Sequence, residues 1–258
     1  MDLPDDKGRP IGTAIADRGD ITQKLYTNVN SKGTSVNIVI MGCPPRDSEP
    51  LATNLFLQGA QVCITTDANR KGALFGAIQA FTVALELGGP VTILQDDVEV
   101  CKNFVPYMSK YLAHVERFRT VIQWFCNGGN YNQAWGVETA SLVERSPDRF
   151  LSTQAVTYPR EVAAYILPWL IQIHEQINPD DRGRKHGDDR HIQSILMSRQ
   201  QNFYIHVPNL VQHVGEASLV GPGIGLYDGF RQTKCYPGKG FDASRLVIPE
   251  PFNWKPRE

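Results

Sequence analysis

The chain has 258 residues, of which 41% are hydrophobic and 21% charged, and a formal net charge of -1. That length admits one large α/β domain or two small ones, with one domain the preferred reading, and the composition excludes wholesale disorder. The near-neutral charge excludes a global positive field for nucleic acid, so any such contact needs a local patch. The last thirty residues lean mildly basic, with six Lys and Arg against three acids.

Taken in chain order, residues 1–33 mix Gly, Asp, Pro, Lys and Asn with little periodicity, and an irregular arm is expected there. "SVNIVIMGC" (35–43) reads as a buried strand halted by "PPR". "EPLATNLFLQG" has helical spacing and ends on a glycine suited to a C-cap. "AQVCITTD" (60–67) is a second strand, "GALFGAIQAFTVALEL" (72–87) a helix whose small residues allow close approach to a sheet, and "VTILQDD" a third strand.

Strands hydrophobic on both faces that alternate with helices are the pattern of a mostly parallel sheet flanked by helices. Right-handed crossovers would then bring the three strand ends to one edge. Ligands of open α/β sheets bind at such carboxyl ends, so 43–46, 67–72 and 96–99 are expected to converge on one crevice.

Further along, "FVPYMSKYLAHVERF" reads as a helix, "TVIQWFCNGG" and "STQAVTYP" as strands, and "REVAAYILPWLIQIHEQI" as a long amphipathic helix. A polar loop, "NPDDRGRKHGDDR", leads into the helix "HIQSILMSRQQ", and "FYIHVPNLVQHVG" reads as one more strand. The remainder, rich in Gly and Pro, is expected to be a tail or a lid able to order over a ligand. Five scattered cysteines without a C-x-x-C pair speak against a zinc knuckle and a disulfide framework, and suit a reducing compartment. The longest apolar run, "VAAYILPWLI", is about half the roughly 20 residues a bilayer span needs, and the start has no apolar signal segment. A cytoplasmic protein without a membrane partner is the expectation.

Chemistry concentrates on "LQDDVE". Asp96 and Asp97 end a buried strand side by side, a costly pairing unless solvent or a cation relieves it. Two carboxylates there make a hard oxygen site suited to Mg²⁺ or Mn²⁺ shared with a phosphate; the ordinary alternative is one helix-capping and one solvated aspartate. Asp188 and Asp189 stand just before a helix, where either could be an N-cap. Arg46 could be a plain surface residue, Asp67 a turn aspartate, and Arg70 and Lys71 solvated loop cations. Among the aromatics near "CNGG", Trp124 and Phe125 read as core, whereas Tyr131 and Trp135 could serve as core or as a sugar or base platform.

"ILQDDVEV", with "CPPR" and "TTDANRKG" before it and "HGDDRHIQ" and "VPNLVQHVG" after it, resembles the GT-A-fold (Rossmann-like) glycosyltransferases, particularly small phage and bacterial members. The motifs span residues 36–221 in order. The resemblance implies an arm at 1–33, a catalytic domain at 34–221 and a tail or lid at 222–258. It further implies a nucleoside diphosphate sugar, a UDP-sugar first, held by Pro44, Pro45, Arg46, Asp67, Arg70, Lys71, Gln95 and Asp96. The divalent cation, Mn²⁺ or Mg²⁺, would be held by Asp97 and His213, with Glu99 as an alternative partner of Asp97. Asp189, or else Asp188, would be the general base of an inverting transfer, since an acceptor hydroxyl is a poor nucleophile until a carboxylate takes its proton.

The acceptor implied by the phage-like members is 5-hydroxymethylpyrimidine in DNA; a glycan, lipid or small molecule is the alternative. Two rivals stand beside this reading. A nucleotidyltransferase would want a Gly-rich basic loop where "CPPRDSEP" lies, and a non-catalytic nucleotide-sugar-binding protein would not depend on Asp189.

Overall fold

The computed structural model describes residues 12–17, 21–27, 36–126, 140–177, 187–214, 232–233 and 235–247. The elements run β1 (Gly12–Asp17), β2 (Ile21–Thr27), β3 (Val36–Gly42), α1 (Glu49–Leu57), β4 (Ala60–Asp67), α2 (Ala73–Leu87), β5 (Val91–Gln95) and β6 (Val98–Val100). They continue with α3 (Phe104–Phe118), β7 (Val121–Gln123), β8 (Ser141–Arg145), β9 (Ala155–Tyr158), α4 (Arg160–Gln176), α5 (Asp188–Ser198), β10 (Phe203–Val207) and β11 (Val211–His213). Among the described residues, nine strands form one sheet in the order β1-β2-β4-β3-β5-β9-β7-β10-β8, and β11 and β6 form a separate ribbon.

Alternation along the strands divides the interior into two cores. On β3, Val36, Ile38 and Ile40 join the side covered by α1 and α3, while Val39 joins the side covered by α2, α4 and α5. Burying such an aliphatic side chain contributes about 1.5–3 kcal/mol, so sheet register is strongly specified from both faces. The small residues of α2 act as expected: Ala77 and Ala80 are buried, and a methyl group added at Gly76 would stand 3.3 Å from Met41 Cε.

The sheet is mixed rather than mostly parallel. β4, β3 and β5 run parallel, as do β7 and β10, but β9 lies antiparallel between β5 and β7, β8 is antiparallel to β10, and β2 is antiparallel to β4. An apolar run such as "AVTY" reports burial on both faces and carries no direction, which the connections decide.

Three further expectations are corrected. Part of the irregular arm, 1–33, is a hairpin of β1 and β2 that covers the edge of β4; Tyr26 packs on Phe56, and Lys24 pairs with Glu49 at 2.8 Å. Its pairing partner is remote in sequence, so local periodicity is a poor guide to it. The single strand expected over "FYIHVPNLVQHVG" is two, β10 and β11, separated by a cis Val207-Pro208 bond. The described part of the expected tail is integral to the body: Cys235, Ala243 and Leu246 are buried, Ala243 N–H donates to Lys102 O at 2.9 Å, and Asn103 Nδ2 donates to Asp242 Oδ1 at 2.9 Å. Of the expected tail or lid, 222–258, residues 222–231, 234 and 248–258 lie outside the described residues, as do Tyr131 and Trp135. No helix among the described residues is long and apolar enough to cross a membrane.

Candidate functional site

The parallel register carries the ends of β3, β4 and β5 to one edge, where Met41 pairs with Gln95 and Gly42 with Thr66. β9 runs the other way, so the residues before it, Ser152 to Gln154, arrive at the same edge, and Gln95 N–H donates to Gln154 O at 2.9 Å. The expected convergence can be read from Cys43, whose thiol is pushed up by burial and by Asp67 and Asp96, with Arg70 and Arg46 opposing.

Asp96 and Asp97 turn the chain from β5 into β6. Asp96 Oδ2 accepts Cys43 N–H at 2.6 Å and its Oδ1 accepts Arg46 Nη1 at 3.0 Å. Asp97 Oδ2 faces the same Arg46 Nη1 at 2.9 Å and His213 Nε2 at 3.1 Å. One guanidinium nitrogen thus bridges two adjacent carboxylates, which relieves their repulsion.

The two acids are driven apart in pKa. Burial raises Asp96, and the Cys43 N–H and Arg46 only partly offset it. Burial also acts on Asp97, but the His213 hydrogen bond, the His213 charge and Arg46 together override it and hold Asp97 below its usual value.

Asp97 Oδ1 is buried and has no hydrogen-bond partner. A buried carboxylate oxygen left unsatisfied is costly and calls for an explanation. Asp97 and His213 would offer a divalent cation one hard oxygen and one imidazole, a donor pair that suits Mn²⁺. The ribbon explains why His213 arrives here: it pairs with Val98, and Val214 N–H donates to Asp97 O at 2.8 Å.

Glu99 is not brought to this side. It pairs with Gln212, one position out of step with His213, and alternation points it to the opposite face, where it joins burial and Cys101 in raising the pKa of the Tyr236 hydroxyl. Among the described residues no group of three or more His, Cys, Asp and Glu gathers as a ready-made cage.

Asp188 and Asp189 open α5, where negative charge suits the helix N-terminus. The Asp188 side chain is buried and hydrogen-bonded to Thr153, and Thr153 Oγ1 also accepts Gln95 Nε2 at 3.2 Å. Thr153 therefore ties the start of α5 to the strand end that carries the acid pair. Burial first, then Asp189, raises the Asp188 carboxyl to about 7. Asp189 is half-buried; burial raises it less completely, since Arg190 N–H, Arg190 and His191 oppose. A methyl group on Gly187 would stand 2.7 Å from Asp189 Oδ1, so glycine leaves room for this carboxylate.

The other expected site residues have structural partners. Asp67 accepts Lys71 N–H at 2.9 Å and Gly72 N–H at 2.8 Å, the turn-aspartate reading, and shapes the loop before α2. Lys71 Nζ lies 4.7 Å from the centre of the Phe75 ring. Pro44 and Pro45, joined by a cis bond, form a turn closed by Arg46 N–H donating to Cys43 O at 3.2 Å, and this turn aims Arg46 at the acids. Gln95 Nε2 donates to Thr153 Oγ1 at 3.2 Å. Trp124 and Phe125 are core, as expected.

Thr153 and Gly187 were not singled out from the sequence. A threonine in a loop and a glycine before a helix carry no signal until the tertiary structure gives them neighbours. No protein-family model matches the chain, and no curated protein matches it in sequence.

Proposed function

We propose that the chain is a metal-dependent, inverting glycosyltransferase of the GT-A type, moving a sugar from a nucleoside diphosphate sugar, a UDP-sugar first, to an acceptor hydroxyl. 5-Hydroxymethylpyrimidine in DNA is the acceptor to test first. The observation that carries the reading is the buried Asp97 carboxylate at the sheet edge, with one oxygen shared by His213 and Arg46 and the other without a partner. A second buried oxygen beside this bridged pair supports a ligand-binding role for the carboxylate.

Asp97 and His213 would hold the divalent cation, which when bound neutralises the charge of the departing diphosphate. Asp96, fixed by the Cys43 N–H and Arg46, faces the donor from β5. Asp189, half-buried at the mouth of α5, takes the proton of the acceptor hydroxyl on a carboxylate oxygen as the new glycosidic bond forms. Asp188, held inside by Thr153, is a positioning residue that anchors the helix start.

The test is a panel of nucleotide sugars with Mn²⁺, following release of nucleoside diphosphate with and without hydroxymethylated DNA. Turnover is expected to fall on the order of a thousandfold in Asp97→Asn, which removes several kcal/mol of charge stabilisation, and comparably in Asp189→Asn. Absence of turnover with every donor and metal sinks the enzyme reading; stimulation by glycans but not by that DNA replaces the acceptor.

A further inference from the structure

We propose that Arg46 is an internal counter-ion for the acid pair, one that a divalent cation displaces from Asp97 and that then engages the donor diphosphate. The proposal rests on the glycosyltransferase reading and deepens it by giving the cation and the nucleotide a fixed coupling. Its basis is the Arg46 Nη1 position, 3.0 Å from Asp96 Oδ1 and 2.9 Å from Asp97 Oδ2.

The Asp96 and Asp97 side chains are only 3% and 7% exposed, so both charges stand away from water and need a positive neighbour. Arg46 provides it from within the chain. The two carboxylates are not held alike. Asp96 keeps the Cys43 N–H when Arg46 leaves, whereas Asp97 keeps His213 and its own backbone N–H and gains no group from another element. Asp97 is therefore the acid on which a cation replaces the guanidinium, because a doubly charged ion on that carboxylate would strongly repel Arg46 Nη1, which stands 2.9 Å from Asp97 Oδ2.

The Arg46 backbone need not move in this exchange. Its N–H stays bonded to Cys43 O in the turn after β3, and the side chain is 22% exposed, against 3% and 7% for the two carboxylates it bridges. A guanidinium so released is a planar fork that matches phosphate oxygens. Nucleoside diphosphate then gives Arg46 a new partner, so cation and nucleotide each favour the binding of the other.

The experiment measures Mn²⁺ affinity from the free-ion signal in electron paramagnetic resonance, with no turnover required, for wild type, Arg46→Gln and Arg46→Lys. Arg46→Gln is expected to bind Mn²⁺ alone roughly tenfold or more tightly than wild type, because a competing charge is gone, and Asp97→Asn in that background abolishes the gain. With Mn²⁺ present, the same variant is expected to bind UDP more weakly than wild type, and Arg46→Lys to stay close to wild type for Mn²⁺ alone while binding UDP with intermediate affinity, because lysine keeps the charge and loses the fork. Folding of each variant is verified by circular dichroism.

A second measurement uses wild type alone: the protected guanidinium resonances of Arg46, assigned by their loss in Arg46→Lys, are expected to exchange freely once Mg²⁺ is added. Mn²⁺ binding by folded Arg46→Gln that is equal to or weaker than wild type, or guanidinium signals unmoved by Mg²⁺ at saturation, overturns the exchange while leaving the metal site intact. Failure of wild type and variants alike to bind Mn²⁺, even with UDP, overturns the metal site itself and the exchange with it.

Discussion

Asp188 offers a test that reads the protein interior directly. Its carboxyl is raised from 3.8 to about 7, first by burial and then by Asp189. A carboxyl raised in the folded state is protonated there while the unfolded chain has already ionised. The stability it contributes is fully present below pH 3.8 and is lost as pH rises through about 7. Raising a carboxyl that far corresponds to about 4 kcal/mol, of which about 3 kcal/mol is lost between about pH 5 and about pH 8.

Asp188→Asn has the same shape, can still accept from Thr153 and does not titrate. From about pH 5 to about pH 8 the variant should therefore gain about 3 kcal/mol on the wild type. Urea denaturation midpoints across this range measure the difference, in which the other titrating groups cancel. A constant difference across the range would refute the reasoning, because it would mean that the native carboxyl ionises as an ordinary aspartate does. Asp189→Asn should move the titration to lower pH, since Asp189 is the second cause of the rise. Turnover distinguishes the roles: Asp188→Asn is expected to keep most of it and Asp189→Asn to lose it, and the opposite result would make Asp188 the base.

His206 tests the other core with the opposite sign. It is lowered from 6.5 to about 4, mainly by burial, so stability is full above 6.5 and falls by about 3 kcal/mol as pH drops toward 4; His206→Gln should flatten that slope in urea melts across the same interval. Trp124 Nε1 donates to Thr157 Oγ1 at 2.7 Å in the same core. Trp124→Phe should therefore lose about 1–3 kcal/mol by urea denaturation, and less on a Thr157→Val background. Gly187→Ala should push the Asp189 carboxylate out of its place; steady-state kinetics should show reduced turnover while Mn²⁺ affinity, read by paramagnetic resonance, stays unchanged.

The apolar runs of β3, β4 and β5 and the helical spacing of α2, α3 and α4 could be read from the sequence, because burial imposes period and length on a local stretch. The acid pair at the end of β5 was equally legible, since adjacent carboxylates after an apolar run violate the ordinary pattern and so carry information. The hairpin of β1 and β2, the direction of β9 and the break at Pro208 were not, since each depends on a partner far along the chain. The same holds within the site. Sequence named Asp96, Asp97, Asp188, Asp189 and His213 by residue type and order, but only the tertiary structure placed Arg46 between two carboxylates, turned Glu99 away and buried Asp188 against Thr153. Charge and hydrophobicity are properties a residue carries with it, whereas a pKa, an unsatisfied oxygen or a shared guanidinium belongs to neighbours that the fold alone brings together.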